Sequence, residues 1–270
     1  MRLEVKNLCV SFPNWRMEKI SFAAESGEFL TILGSTGSGK STILAAIAGI
    51  VEPEKGEIFF DGASVSGLPA EKRNVGLVFQ NNALFPHLSV FENVAFGLKV
   101  KKEKNWREKT QRMLEMLGIE RLAERSVKNL SGGEEKLVAI ARALVTEPCI
   151  MLFDEPLNGL DARLREKLKK TIKETQEKLG KTTVFVTHDV DEAFFLSDKI
   201  IVLNNGRIEQ TGTPEEIFEK PATRFVKEFV EGYALVRARV EKGVLKGKFE
   251  VSTGLKDGAG LLNLKKNNFR

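Results

Sequence analysis

At 270 residues the chain is long enough to bury one large α/β core with a small appended lobe. Its 42 Lys and Arg against 37 Asp and Glu leave a net charge of only +5, with signs alternating along helical stretches, which describes solvated faces and argues against a nucleic-acid groove. No apolar run approaches the roughly 18 residues of a membrane span, and the basic start lacks a following signal-peptide core. Cys9 and Cys149 stand in separate apolar segments without metal spacing, as expected of buried free thiols in a reducing compartment.

In chain order, the first chemical signal is GSTGSGKS at 34–41, between the apolar strand pattern FLTIL (29–33) and the helical pattern ILAAIAGI (43–50). Glycines in a strand-to-helix turn let successive backbone N–H groups and the positive end of the helix dipole converge on phosphate oxygens. Gly34, Gly37 and Gly39 permit close approach, Ser35, Thr36, Ser38 and Thr42 complete the cradle, Lys40 neutralises charge, and Ser41 is a magnesium ligand candidate. Gln80 ends the strand pattern VGLVF; residues 81–128 are helix-rich, with a helix predicted over 106–117 and a helical segment over 85–97.

LSGGE follows at 130–134. Ser131 and Glu134 have capping-box spacing, and Leu137, Ile140, Ala141, Leu144 and Val145 make a buried helical stripe. Capping does not explain Gly132 and Gly133 in the first turn, where each costs about 1 kcal/mol relative to alanine; bare backbone there suits an approaching anion. The continuous apolar run IMLF (150–153) predicts a strand buried on both faces, ending in Asp154 and Glu155. Asp154 is the candidate for holding magnesium, and Glu155 the general base for an attacking water. His188 ends the strand pattern TTVFVT, ahead of the capping pair Asp189 and Glu192; His87, in LFPHLS, is expected on a surface loop. NNGR (204–207) predicts a hairpin, TPEEIF (213–218) a helix with proline at its first position, and LVRARV (235–240) and KFEVS (248–252) strands.

With these motifs in this order, residues 3–233 strongly resemble the ATP-binding cassette family, the ATPase subunits of ABC transporters. The resemblance implies an α/β fold: a P-loop NTPase core of mostly parallel sheet with flanking helices, an N-terminal antiparallel β subdomain, an inserted helical subdomain and a short β-rich C-terminal tail. The implied domains are a nucleotide-binding domain over 1–232, with the helical subdomain at about 81–128, and an extension over 233–270 that resembles only the opening strands of a regulatory domain.

The resemblance further implies ATP and Mg2+ as cofactors. Ser131, Gly132, Gly133 and Glu134 of one chain would close over the γ-phosphate held by a second copy or a paralogous cassette. Gln80 resembles the residue that senses magnesium, attacking water and membrane partner; Asp161 in NGLD resembles the aspartate coupling the two sites; His188 resembles the switch histidine at the γ-phosphate; Phe12 resembles the aromatic stacking on adenine, with Trp15 near enough to compete. Two departures stand out: Glu135 adds charge beside a phosphate site, and Asn158 with Gly159 replaces the commoner Ser-Ala, an expected loosening of that loop.

The implied function is the ATPase subunit of an importer for polyamines, iron(III), oxyanions or sugars, peripheral on the cytoplasmic face of the membrane. It would work with permease subunits and an extracytoplasmic solute-binding protein, and without nucleic acid. A permease helix would dock beside Gln80 against Leu84, Phe85, Leu88 or Phe91. The alternatives are a solitary exporter cassette and a non-transport ABC ATPase acting on nucleic acid; the second would carry long coiled-coil insertions that the sequence lacks.

Overall fold

A computed structural model describes residues 1–231 and, beyond them, the backbone of four strands between Tyr233 and Lys265. In chain order the elements are β1 (Leu3–Phe12), β2 (Trp15–Ala24), β3 (Phe29–Gly34), α1 (Lys40–Ala48), β4 (Lys55–Phe60), β5 (Ala63–Ser64), β6 (Val75–Val78), α2 (Val90–Val100), α3 (Trp106–Met116) and α4 (Gly132–Leu144). There follow β7 (Ile150–Asp154), α5 (Ala162–Leu179), β8 (Thr182–Thr187), α6 (Val190–Leu196), β9 (Lys199–Asn204), β10 (Arg207–Gly212), α7 (Pro214–Glu219), α8 (Arg224–Val230), β11 (Tyr233–Glu241), β12 (Val244–Lys246), β13 (Val251–Ser252) and β14 (Gly258–Lys265).

The apolar runs become the centre of a six-stranded sheet of order β10-β9-β3-β8-β7-β6, parallel except for the β9–β10 hairpin. Because successive side chains point to opposite faces, each central strand feeds two cores. Phe29, Phe153 and Phe185 face the helices α2 to α5, whereas Leu30, Ile32, Leu152, Val184 and Val186 face α1 and the antiparallel sheet β2-β1-β4-β5. Alternation in β2 is of the half-buried kind, with Met17, Ile20, Phe22 and Ala24 inward and their neighbours turned out or only partly covered.

Local chemistry sets the boundaries. The chain leaves α1 through Gly49 at φ 79°, earlier than the 43–50 pattern suggests. The predicted helix over 106–117 is α3, with Leu117 as its C-cap. The segment over 85–97 is helical only from Val90: Ser89 and Glu92 form a capping box, and residues 85–88 make a turn. Asn205 and Gly206, at φ 44° and 72°, give the 204–207 hairpin two consecutive left-handed residues, as a type I′ turn requires. Thr213 and Glu216 box the start of α7, with Pro214 at its first position. Asp189 caps α6 as expected, but Glu192 does not complete a box; its carboxylate accepts a 2.6 Å bond from Thr187 Oγ1.

The tail strands pair in the order β13-β12-β11-β14; residues 248–250, the start of the predicted KFEVS strand, lie outside the described residues. Among the described residues no helix is long and apolar enough to cross a membrane. Both cysteines are free; Cys9 is buried and Cys149 partly exposed, its thiol pushed up in pKa by burial.

Arg73, 4% exposed, stitches α1 to the segment after β5. Its guanidinium donates to Ala46 O, Ile47 O, Leu68 O and Ser66 O at 2.7–3.1 Å and covers Gly49, where an added Cβ would lie 2.6 Å from Nε. Its removal takes a donor from two buried carbonyls, Ala46 O and Ile47 O, at the end of the helix that begins at Lys40, and from two in the segment it joins. Arg73→Met should destabilise the fold by roughly 2–4 kcal/mol, read as a lower urea midpoint with an unchanged slope; an unaltered midpoint would show that water replaces these bonds at no cost.

Candidate functional site

Parallel register brings three strand ends level. Leu33 pairs with Thr187, Gly34 with Leu203, and Asp154 with Val186, so the segments that leave β3, β7 and β8 emerge at one edge. At that edge a cleft of about 380 Å³ is lined by Phe12, Trp15, Thr36, Gly37, Gly39, Lys40, Ser41, Thr42, Gln80, Glu155, Asn158 and His188.

The glycines of the turn have separate reasons. A Cβ on Gly34 would fall 2.2 Å from Leu203 O and 2.9 Å from Ser38 Oγ, so β9 lies against the turn. Gly39, at φ 105°, carries the edge of the Trp15 indole, 2.5 Å from where its Cβ would be. Gly37, at φ 81°, has open space beside it. No side chain caps the start of α1, so its first N–H groups present their positive dipole end to the cleft. Ser35 enters through its carbonyl, and Ser38 Oγ is buried without a hydrogen-bond partner.

Lys40 is 4% exposed; its Nζ donates to Gly34 O and Ser35 O at 2.9 Å and stands 3.6 Å from Glu155 Oε1. Burial lowers its pKa, opposed by the charge of Glu155. Ser41 Oγ donates to Asp154 Oδ1 at 2.7 Å, and burial raises the Asp154 carboxyl despite that bond. Glu155 holds a left-handed backbone at φ 43°, its N–H bonded to Val186 O at 3.0 Å. The turn aims its Oε2 at His188 Nδ1, 3.1 Å away, and at Asn158 Nδ2, 3.3 Å away. Gln80 is exposed at the same cleft, and the outer aromatic pair Phe12 and Trp15 has centroids 6.1 Å apart, with Phe12 48% exposed and Trp15 packed on Gly39.

Ser131, Gly132, Gly133, Glu134 and Asp161 do not line this cleft. Ser131 and Glu134 form the predicted capping box, and Ser131 donates as well through Oγ; Asp161 caps α5 by accepting from Leu164 N–H at 3.0 Å. Backbone donation from Ser131, its hydroxyl bond and Arg121 and Arg125 hold the Glu134 carboxyl below the usual range. Gly133 has an internal reason for lacking a side chain, since a Cβ would strike Leu164 Cδ2 at 2.4 Å; Gly132 faces open space. Glu135 turns away from the Ser131 face and accepts from Asn82 Nδ2 at 3.3 Å, so its charge faces the loop after Gln80. His87 is exposed, though its ring sits 6.3 Å from that of Phe85. Sequence reasoning overlooked the Asn158–Glu155 contact and the packing of Trp15 on Gly39; neither leaves a periodic or spacing signal.

A family profile described as ABC transporter matches residues 17–158. The chain belongs to the ABC transporter family. Curated ABC relatives named "Spermidine/putrescine import ATP-binding protein PotA" are similar to it. The one from Legionella pneumophila (strain Paris) is 47% identical over 231 residues, 84% of this chain and 64% of the relative; the one from Clostridium acetobutylicum is 45% identical over 231 residues, 84% and 66%. The chain thus spans a little under two thirds of the length of these relatives. Among solved ABC structures it resembles cbiO1 from Clostridium perfringens, described as part of the ABC transporter complex cbiONQ. That match has a TM-score of 0.74 and 33% identity and covers 82% of this chain and 91% of the other. It also resembles the ATP-binding cassette MJ0796, solved as a post-hydrolysis dimer bound to ADP and Pi, with TM-score 0.69, 33% identity and 78% and 98% coverage. The P-loop ABC ATPase fold is thereby shown for this chain.

The donor set suits a magnesium nucleotide. Ser41 and Asp154 converge as hard oxygen donors, the space beside Gly37 admits a phosphate chain against backbone N–H groups, and Phe12 offers an exposed ring face. This arrangement opposes stability. A carboxyl whose folded pKa is raised costs stability when ionised, and the cost disappears as pH falls through that raised value. Asp154→Asn should therefore raise the unfolding free energy at pH 7 by roughly 1 kcal/mol, read as a higher urea midpoint, with the gain shrinking as pH is lowered, and should weaken magnesium-dependent nucleotide binding at least tenfold by calorimetry. A lower midpoint at pH 7 would contradict the burial argument.

Proposed function

We propose that this chain is the ATP-hydrolysing subunit of an ABC importer, acting as a two-chain sandwich on the cytoplasmic face of the cell membrane. Its partners are permease subunits and an extracytoplasmic solute-binding protein. The observation that carries this reading is the meeting, in one cleft, of Lys40, the Ser41–Asp154 pair and the Glu155–His188 pair. Ser41, Asp154 and Gln80 would hold magnesium, which when bound would supply positive charge to offset that of the phosphates. Lys40, now spent on carbonyls of its own loop, transfers its donors to phosphate. Glu155 accepts the proton of a water held in line with the terminal phosphate, and His188, bonded to Glu155 through Nδ1, presents its other ring nitrogen towards the phosphate. Gln80 orients the water and senses the metal. Phe12 stacks on the base, and Trp15 fixes the turn through Gly39. Ser131, Gly132, Gly133, Glu134 and Asp161 serve the cleft of the second chain.

Import is favoured over a solitary exporter by the names of the curated relatives, which make spermidine and putrescine the first solutes to test. Beside Gln80, a second cleft of about 270 Å³ between Asn81 to Leu84 and Val127, Lys128 and Glu135 is the proposed seat of a permease helix. Of the four apolar candidates only Leu84 lines it. Phe85 packs against Phe96 with ring centroids 4.5 Å apart and Phe91 against Trp106 at 6.1 Å, both pairs tilted, and Leu88 is half-buried in the turn before α2.

Lys40→Ala should abolish both ATP binding and turnover. Glu155→Gln, which keeps shape but loses the base, should bind ATP with near-native affinity, turn over about 100-fold slower or worse, and accumulate an ATP-dependent dimer on sizing. Native turnover with Lys40→Ala would refute the site; a Glu155→Gln variant that stays monomeric, with wild-type activity independent of concentration, would refute the sandwich. Leu84→Glu, assayed with the permease in vesicles, should cut transport at least fivefold more than it cuts the turnover of the isolated subunit, and equal losses would place docking elsewhere.

A further inference from the structure

The loop between β7 and α5 departs from the expected Ser-Ala-Leu-Asp at Asn158 and Gly159, and Asn158 makes a contact there. Gly159 sits at φ 76°, a backbone region that side chains disfavour, with nothing near the place of a Cβ. Just before it, a turn closed by Asn158 N–H on Glu155 O at 3.2 Å sets Asn158 at the cleft, where its Nδ2 lies 3.3 Å from Glu155 Oε2, the oxygen that also meets His188 Nδ1. One turn into α5, Arg165 makes a second link. Its Nη2 donates to Leu160 O at 3.2 Å, and its Nη1 to Asp189 Oδ2 at 3.3 Å. Arg165 Nε is buried, has no hydrogen-bond partner, and stands 3.9 Å from Glu192 Oε1. Asp189 follows His188 directly, and its N–H bonds Thr187 Oγ1, which precedes His188; Thr187 in turn donates to Glu192. Arg165 thus reaches both flanks of His188 through side chains, Asp189 directly and Thr187 by way of Glu192.

We propose that Asn158 and Arg165 are positioning residues: they tie the Glu155–His188 pair to the loop 158–161, so that a displacement of this loop is felt at both members at once. Resting on the reading of the cleft as an ATPase site, the inference adds two residues to it and gives the loop a role within its own chain. Asn158 orients the carboxylate, since an amide donor on Oε2 leaves Oε1 turned to Lys40, 3.6 Å from its Nζ. Arg165 holds the imidazole in line. The paired long contacts of its guanidinium, one satisfied and one not, allow it to shift between Asp189 and Glu192 without leaving Leu160.

The test is steady-state ATP turnover of the full chain carrying Asn158→Ala, Arg165→Met, Arg165→Lys, or Asn158→Ala with Arg165→Met. Each of Asn158→Ala and Arg165→Met should lower kcat about 10-fold with KM for ATP within about twofold. Arg165→Lys, which reaches the carboxylate or the carbonyl but not both, should recover part of the loss. Because both residues act through one loop, the double variant should lose clearly less than the product of the single losses. The chain has only two histidines, so the imidazole NMR signals of His188, assigned with His87→Gln, should move in Arg165→Lys while those of His87 stay.

Wild-type kcat in Asn158→Ala, wild-type kcat in both Arg165 variants, losses confined to KM, multiplicative losses in the double variant, or unmoved His188 signals would each overturn the proposal. If Arg165→Met does not fold, Arg165→Lys alone decides the arginine. Failure of the underlying reading looks different: turnover would then be missing from the wild type or retained in Lys40→Ala.

Discussion

Register in the parallel sheet is the constraint on which the rest depends. A slip of one residue between β3 and β8, or between β7 and β8, would move every side chain of the slipped strand to the opposite face. Phe153 or Phe185 would then exchange places with Leu152 or Val184, sending aromatic rings into the core built for branched aliphatics beside α1. The two cores therefore fix the register, and the register fixes which residues end the strands. Gly34, Asp154 and Thr187 are the last residues of β3, β7 and β8, so the turn, the carboxylates and the histidine come together without any direct requirement that they attract one another. Their placement carries a cost: burial shifts Lys40 and Asp154 towards their neutral forms, which the attraction between Lys40 and the two carboxylates only partly opposes, and Glu155 holds an unfavourable backbone. The hydrophobic register offsets this local cost, which is the usual relation between a functional site and its scaffold.

What could be read from the sequence was what a short stretch of chain determines by itself. Apolar runs gave β3, β7 and β8; the spacing Ser131 to Glu134 and Thr213 to Glu216 gave two boxes; Asn205 and Gly206 gave the hairpin. Each depends on residues within a few positions of one another. The contacts that escaped are long-range. Arg73 meets α1 carbonyls 26 and 27 residues away, Gly39 is shaped by Trp15, Gly133 by Leu164, and Glu135 turns to Asn82, 53 residues back. An arginine that serves as a multi-carbonyl stitch looks, in the sequence, like any charged residue after a turn. Asn158 is the instructive intermediate: the departure from pattern is visible in the sequence, but the partner of the amide is not, because only the folded turn sets Asn158 beside Glu155.

The glycine pair at the start of α4 shows how a structure can halve an argument and strengthen what remains. Two costly glycines in a first turn suggested bare backbone offered to an anion. Leu164 accounts for Gly133 by packing alone, so that residue contributes nothing to the functional reading. Gly132 is different: it is exposed, no atom lies near the place of its Cβ, and alanine would fit there while favouring the helix. A glycine that neither packing nor a left-handed backbone requires, at the dipole-positive end of a 13-residue helix, leaves the backbone N–H groups there uncovered, as the proposed approach of a phosphate would need. Since the cleft around Lys40 in the same chain does not include it, the reading in which a second chain supplies the phosphate rests on Gly132 and the neighbouring Ser131, and no longer on the glycine pair.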